Sequence, residues 1–457
     1  MYVLEHEVDS VLAKVIARIK PTQAEKREEE KLVEEITARL RKVVPPFIEV
    51  MMAGSIAKDT NLRGDRDFDL FLLFPLSHSL KDLEVMGLDW AKKAVEPHKW
   101  HIGYAEHPYL RANYKGSKLD IVPSFKISHI DERASSVDRS PLHTQYINSK
   151  LTPSQKDQVR LLKRFLKNIG IYGAELKTEG FSGYLCELLI TYYGSFKQLL
   201  KSAEQWKGQI VLDIERHYGE HELAGRFLAP LVVVDPVDRD RNVSAVVSKT
   251  SVSRLVYSAR EFLKKPKEEF FFSEKKPFSL QKAKELMESR GSTFICLFFK
   301  APEVVPDILW PQLKRAEKNL AKQLELEEFV LLGHAHWSDE EKHCALLFEF
   351  SSCCLPAVRK APGPPTFQPV DCENFVEKHA KSPHGVWIEG DRLVALEKRK
   401  HTSPESALKE LVKNPRNYGI PEHLAETFTR ARILKGEEIA IKENLELLAI
   451  YLCRSLP

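Results

Sequence analysis

At 457 residues the chain is longer than one ordinary core, and roughly two to four domains are expected. Its 43% hydrophobic and 29% charged content excludes a disordered chain, and a net charge of +4 admits a polyanionic partner without demanding one. Seven cysteines with no C-x-x-C pair argue against a disulfide framework and for a reducing compartment.

The start, Met1-Tyr2-Val3-Leu4-Glu5-His6-Glu7, has neither a basic n-region nor a long apolar stretch, so no secretion signal is expected and the cytoplasm is the expected location. Apolar runs such as Phe71 to Phe74 and Leu231 to Val234 are strand-sized, far below the ~20 residues that span a bilayer, and no membrane association is expected. Thr22-Gln23-Ala24-Glu25 is a capping box, and Leu32, Val33, Ile36, Leu40 and Val43 continue at helical spacing until Pro45-Pro46. Phe47 to Ala53 predicts a strand that ends at Gly54-Ser55. A short helix and Gly64 then lead into the apolar strand Asp67-Phe68-Asp69-Leu70-Phe71-Leu72-Leu73-Phe74.

Side chains alternate along a strand, so Asp67 and Asp69 share one face while Phe68 and Leu70 enter the other. A helix is expected from about Leu80 to Val95. Trp100 to Glu106, Tyr109 to Tyr114 and Lys118 to Phe125 read as short strands, the last two closed as a hairpin by Lys115-Gly116. Asp120, within Leu119-Asp120-Ile121-Val122, is thereby placed on a strand able to lie beside the Asp67 strand. Antiparallel strands with a covering helix make residues 1–145 an α+β unit.

Crowded carboxylates in apolar surroundings are costly unless they share a proton or bind a cation, and an all-oxygen set selects hard ions, Mg²⁺ or Mn²⁺. Asp67, Asp69 and Asp120 are therefore candidates for a two-metal site of nucleotidyl transfer, with Asp120 nearer the attacking hydroxyl. Gly54-Ser55 fits upstream as backbone N–H groups and one hydroxyl for a triphosphate, and Lys58 adds charge. A structural salt-bridge cluster is the competing explanation of the same residues.

From Thr152-Pro153 the pattern turns helical, at about 153–168, 182–201 and 252–264, which predicts a mainly helical domain over 146–265. After Lys264-Lys265-Pro266-Lys267, a second α+β domain over 266–457 is expected. Its strands are Phe294 to Phe299, Phe329 to Gly333 and Ala345 to Phe350, and a helix runs from Trp310 to Leu326. Pro362-Gly363-Pro364-Pro365 reads as a break, with a short helix near 372–381 and a hairpin turning at Gly390-Asp391. Helices follow Ser403-Pro404 and lie near Glu422 and Glu443. His334-Ala335-His336 with His343-Cys344 matches no common zinc spacing, and Trp337-Ser338-Asp339-Glu340 reads as a solvated loop.

Several strings go further. In order, they are Tyr104-Ala105-Glu106-His107-Pro108-Tyr109, Val137-Asp138-Arg139-Ser140-Pro141-Leu142-His143, Leu161-Leu162-Lys163, Gly170-Ile171-Tyr172-Gly173-Ala174-Glu175, Gly180-Phe181-Ser182-Gly183-Tyr184-Leu185-Cys186-Glu187, and Val234-Asp235-Pro236 with Arg241-Asn242-Val243. With G-S, D-x-D and D, the chain resembles the DNA polymerase β-type nucleotidyltransferase superfamily. Over about residues 40–260 it resembles one branch in particular, the archaeal-type (class I) CCA-adding enzymes.

The resemblance implies a multidomain α+β fold: a polymerase β-like palm, a helical central domain and a C-terminal α+β body with a tail. It implies template-independent addition of CCA to tRNA from CTP and ATP. It also implies that Asp67, Asp69 and Asp120 are the metal-binding catalytic carboxylates. Ser55, Lys58, His143, Lys163 and Tyr172 would then bind the nucleotide, and Arg241 would read the base. Lys58 stands where many relatives have Arg, and Ser140 where relatives often have Thr.

Each of these residues also has a plain reading. Tyr172 and Tyr184 would be core aromatics, Lys163 a solvated helix residue, His143 a cap, and Arg241 a partner in the charge run Asp238-Arg239-Asp240-Arg241. A poly(A) polymerase and a non-catalytic tRNA-binding protein remain as rivals. The oligomeric state stays open, a homodimer being one arrangement.

Overall fold

The computed structural model describes residues 2–104, 107–219, 222–223, 225–273 and 277–454; Ala105 and Glu106 of the expected third strand lie outside the described residues. The chain forms two compact units, Met1–Lys275 and Lys276–Ser455.

The first unit opens with helix α1 (Tyr2–Ile19), which the sequence reading did not anticipate, and α2 (Gln23–Val43). Thr22 caps α2 as expected: its hydroxyl accepts the Glu25 N–H at 3.2 Å, and the Glu25 carboxylate accepts the Thr22 N–H at 2.7 Å. Then come β1 (Glu49–Ala53), the short α3 (Gly54–Ala57) and β2 (Asp67–Phe74). The expected helix at 80–95 runs as α4 (Leu80–Asp82), a π-turn (Leu83–Gly87) and α5 (Leu88–Val95).

Strands β3 (Trp100–Tyr104), β4 (Pro108–Tyr114) and β5 (Ser117–Phe125) complete a sheet of order β1-β2-β5-β4-β3. Lys115 (φ 50°) and Gly116 (φ 83°) make the β4–β5 turn, where two positive φ values suit a two-residue hairpin loop. One expectation is corrected here. Strand β2 runs parallel to β5, not antiparallel, because α4, α5 and the β3–β4 hairpin return the chain to the same end of the sheet. Phe68, Leu70, Leu72, Leu119 and Ile121 line the buried face against α2 and α5.

The remainder of the unit is α6 (Arg139–Lys150), α7 (Pro153–Asn168), α8 (Gly183–Tyr193), α9 (Phe196–Ala203), a parallel pair β6 (Ile210–Asp213) and β7 (Leu231–Val234), and α10 (Lys249–Lys264). The single helix expected at 182–201 is broken at Gly194, which takes φ 82° as the C-cap of α8. Phe165, Phe196, Phe262 and Phe271 pack edge to face or tilted at the centre of the helical core. Val8, Leu12, Val15 and Ile19 of α1 join that same core.

The second unit contains α11 (Leu280–Ser289), β8 (Thr293–Lys300), α12 (Pro306–Leu326), β9 (Leu331–Ser338), β10 (His343–Phe350), β11 (Val358–Pro365), α13 (Pro369–His379), β12 (Val386–Glu389), β13 (Arg392–Lys398), α14 (Pro404–Lys413), α15 (Glu422–Phe428), β14 (Arg432–Lys435) and α16 (Leu445–Leu452). Its sheets have the orders β14-β8-β10-β9 and β11-β13-β12. Pro362-Gly363-Pro364-Pro365 does not break the chain. It lies in β11, whose position at a sheet edge and register shift between Pro362 and Pro365 accommodate the missing N–H donors. Nor is Trp337-Ser338 a solvated loop, for both residues are buried in β9. Among the described residues no helix is long and apolar enough to cross a membrane.

Candidate active site

Register brings the three predicted carboxylates together. Asp69 is the direct cross-strand partner of Asp120, and alternation puts Asp67 on the same face two residues earlier. Burial pushes the Asp69 carboxyl up to about 6, and the charges of Asp120 and then Asp67 add to that push against the countering Lys118 and Lys58. Asp120 is buried and receives a two-pronged contact from Arg111 on β4, Nε to Oδ1 at 2.8 Å and the second nitrogen to Oδ2 at 2.7 Å. The Arg111 guanidinium also lies 5.2 Å from the Tyr109 ring centroid.

Gly54 is tied to this trio. It has φ +74°, and a Cβ built on it would lie 2.0 Å from Asp69 Oδ2, so only glycine lets the β1–α3 turn press against the carboxylate. Ser55 follows in α3, and no side-chain hydrogen bond engages it among the described residues. Lys58 ends that turn but is turned inward. It is 6% exposed and meets Glu187 Oε2 at 2.5 Å.

Lys163 of α7 reaches the same carboxylate from the other side, at 3.3 Å from Oε1. It also donates to the Thr60 carbonyl at 3.1 Å and the Thr60 hydroxyl at 3.0 Å. Thr60 in turn donates to Glu187 Oε1 at 2.6 Å. Burial alone would raise the Glu187 carboxyl, but the charges of Lys58 and Lys163 outweigh it and hold it below the usual range. Lys163 is itself pushed down by burial. Tyr172 stands close by, since a Cβ on Gly183 would touch its hydroxyl at 3.2 Å and the Lys163 Nζ at 3.6 Å.

A second buried carboxylate organises the rest. Asp235 follows β7, is fully buried, and accepts from Arg241 at 2.7 Å, His143 Nε2 at 2.9 Å, the Tyr184 hydroxyl at 3.1 Å and the Val237 N–H at 3.1 Å. Burial opposes its charge, yet the His143 hydrogen bond, then Arg241 and the Val237 N–H, hold its carboxyl at about 2. Burial pulls the His143 imidazole down, which favours the neutral ring, and the ring stacks on Tyr184 with centroids 3.9 Å apart.

His143 is positioned through Asp138 at the head of α6. That buried carboxylate accepts from the Ser124 hydroxyl and from the N–H groups of Phe125, Ala134 and Ser135 at 2.7–3.0 Å, fixing the end of β5 to the start of the helix. The Lys58 ammonium lies 5.7 Å from the Tyr184 ring centroid and so joins the Glu187 and Asp235 clusters.

Sequence reasoning missed Glu187 and Asp235 as site residues. Each left a signal: Glu187 is a charge in a helix with Leu185, Cys186, Leu188, Leu189 and Ile190 all buried around it, and Asp235 ends the fully buried run Leu231–Val234. The His334–His336 motif lies in the second unit. Both imidazoles contact Glu317, His334 Nδ1 at 2.5 Å, while His343 pairs with Asp339 at 2.9 Å.

Among the described residues, no group of three or more His, Cys, Asp or Glu is arranged to hold a metal ion by itself. Arg111 occupies one lone pair on each Asp120 oxygen, and among the described residues no side-chain hydrogen bond or ion pair engages Asp67 or Asp69. An all-oxygen set with a carboxyl pushed up to about 6 by its neighbours is nevertheless what a hard divalent ion relieves, and such sites are ordinarily completed by substrate phosphates and water.

Two family models match the chain: "tRNA nucleotidyltransferase, second domain" over residues 157–272 and "CCA-adding enzyme, C-terminal domain" over residues 290–436. Among curated relatives, the CCA-adding enzyme of Methanocaldococcus jannaschii is 37% identical over 431 residues, covering 91% of this chain and 94% of that protein. That of Methanosarcina mazei is 38% identical over 88% of each chain. That of Archaeoglobus fulgidus is 35% identical over 95% of this chain and 96% of its own. Of solved structures, a cytoplasmic RNA terminal U-transferase aligns with 60% of this chain and 99% of its own at a TM-score of 0.47 and 15% identity.

Proposed function

This chain belongs to the family of CCA-adding enzymes, and from that premise we propose that it adds C, C and A to the 3′ end of tRNA from CTP and ATP without a nucleic-acid template. The observation that carries the catalytic part of this reading is the meeting of Asp67, Asp69 and Asp120 on one sheet face with Gly54 pressed against Asp69. In each cycle the terminal hydroxyl of the RNA attacks the α-phosphorus of the nucleotide, a phosphodiester forms, the bond to the β-phosphate breaks and pyrophosphate leaves. Two divalent ions, Mg²⁺ or alternatively Mn²⁺, held by the three carboxylates would lower the cost of hydroxyl ionisation and of the charge on pyrophosphate.

The protein's own groups supply position. Gly54 and Ser55 offer an approach and a hydroxyl for the triphosphate, which is the role proposed for them. The three Lys163 N–H donors are spent on Thr60 and Glu187, so it acts through its charge, whereas Lys58 keeps donors beyond the one on Glu187. With Nε2–H on Asp235, a neutral His143 presents Nδ1 as an acceptor, which suits a ribose hydroxyl better than a phosphate. The Tyr172 hydroxyl, near Lys163, would donate to the nucleotide.

Arg241 spends one prong on Asp235 and keeps others for a base edge; the planar fork can meet C or A by exchanging partners. We assign residues 1–145 to catalysis, 146–265 to nucleotide selection and 266–457 to tRNA binding. The cysteines of the described residues are all free, which supports the cytoplasm as the place of work.

Asp67→Ala tests the reading. Incorporation of CMP and AMP is expected to disappear in a labelled-nucleotide assay while tRNA binding by filter retention persists. Retained incorporation would remove Asp67 from the metal site.

A further inference from the structure

The face that carries the three carboxylates changes sign across the sheet. Cross-strand register lays out one row as Asp69, Asp120, Arg111 and His101, and a second as Asp67, Lys118 and Asn113, which Lys99 extends beyond the start of β3. Both rows run from acid on β2 to base at β3 or just before it. Between them lies a depression of about 560 Å³, lined in part by Asp67, Lys99, His101, Arg111, Asn113 and Lys118. Lys99, His101 and Lys118 are exposed, and no side-chain hydrogen bond or ion pair engages them among the described residues. Arg66 on the rim is already paired with Glu28 at 2.9 Å.

An RNA strand whose terminal hydroxyl lies at the carboxylates runs its next phosphate outward over the sheet, beyond the ions those carboxylates would hold. Exposed cations on that stretch of the face attract it. Lys118 stands on β5 itself, Arg111 one strand further and His101 two, about 10 Å away, so the cations span the stretch over which such a strand would continue. Arg111 marks the border, since it holds Asp120 with both prongs and still faces the depression.

We propose that this shelf of Lys99, His101, Arg111 and Lys118 seats the phosphodiester immediately 5′ of the attacking hydroxyl, so that the palm itself grips the acceptor strand. The proposal rests on the reading of the chain as an RNA 3′-end nucleotidyltransferase. Lys99, His101 and Lys118 are binding residues here, and Arg111 is a positioning residue that acts through Asp120.

The test is a chemical double cycle. The full-length protein and a Lys99→Ala/His101→Ala variant are assayed on tRNA lacking CCA that carries either its natural last linkage or a neutral methylphosphonate there. In the parent, the neutral linkage is expected to raise KM for RNA about tenfold. In the variant, KM on natural RNA is already raised about tenfold and the neutral linkage adds less than about twofold, while kcat and KM for CTP stay within about twofold of the parent. The salt slope of RNA binding falls by about one.

Lys99→Gln and His101→Gln serve as single variants, each with part of the same RNA-side shift, and thermal melts establish that each variant folds. An unchanged KM for RNA, a loss that appears instead in KM for CTP, or two effects that simply multiply would overturn the shelf. Absence of incorporation by the parent protein would overturn the underlying reading and is distinguished from the shelf's own failure by that control.

Discussion

Asp69 carries an electrostatic conflict whose consequence is measurable. A carboxyl pushed up to about 6 by burial and by Asp120 and Asp67 takes up a proton in the folded state before it would in the unfolded chain. In the absence of cations this group therefore favours the fold as pH falls through about 6, and works against it above. A divalent ion must displace that proton. Its affinity, measured by calorimetric titration, is expected to be level above pH 6 and to fall about tenfold per unit below it. An affinity independent of pH across that range would contradict the electrostatic account of Asp69.

At this scale the acidic motif was legible because strand alternation puts i and i+2 on one face. Glu187 and Asp235 were passed over, because a charge set in an apolar run marks only that carboxylate, while partners that would assign it a role, such as Lys58 and His143, lie far off in the sequence. Lys58 and Glu187 are 129 positions apart, and His143 and Asp235 are 92 apart.

At the scale of elements, the β1–α3 turn is the part least tolerant of change. Gly54→Ala adds a Cβ into Asp69 Oδ2 at a backbone angle that side chains avoid, and a displacement of about 1 Å at a reacting centre costs on the order of 10²-fold in rate. Gly194→Ala imposes the same left-handed strain (φ +82°) with nothing within 4 Å, so it isolates the backbone effect. Gly54→Ala is expected to lower kcat by about 10²-fold, and Gly194→Ala to lower stability by about 1 kcal/mol with kcat unchanged. Equal kcat losses in the two variants would contradict the steric role of Gly54.

The hairpin at Lys115-Gly116 and the capped helices α2 and α7 were readable from local turn and cap chemistry. The parallel pairing of β2 with β5 depends on a crossover that no local signal encodes. The prolines of β11 read as a break because their edge position emerges only when β13 is in place.

At the scale of the whole molecule, α1 shows how far chain order and spatial order diverge, since the first helix is built into the core formed by α7 to α10. The family was nonetheless legible from ordered strings between Gly54 and Val243, because residues that meet around Asp69, Glu187 and Asp235 lie on separate segments whose order in the chain is retained. On this account these clusters serve one reaction, the addition of three nucleotides from CTP and ATP to a tRNA end with release of pyrophosphate.

The measurement that tests it most directly is incubation of the purified protein and a divalent ion with tRNA lacking its CCA end, with CTP and ATP separately and together, followed by product sequencing. The account predicts addition of C and C from CTP alone, completion by A when ATP is present, and arrest at three nucleotides. A long A tail, or no incorporation under any of these conditions, would contradict it.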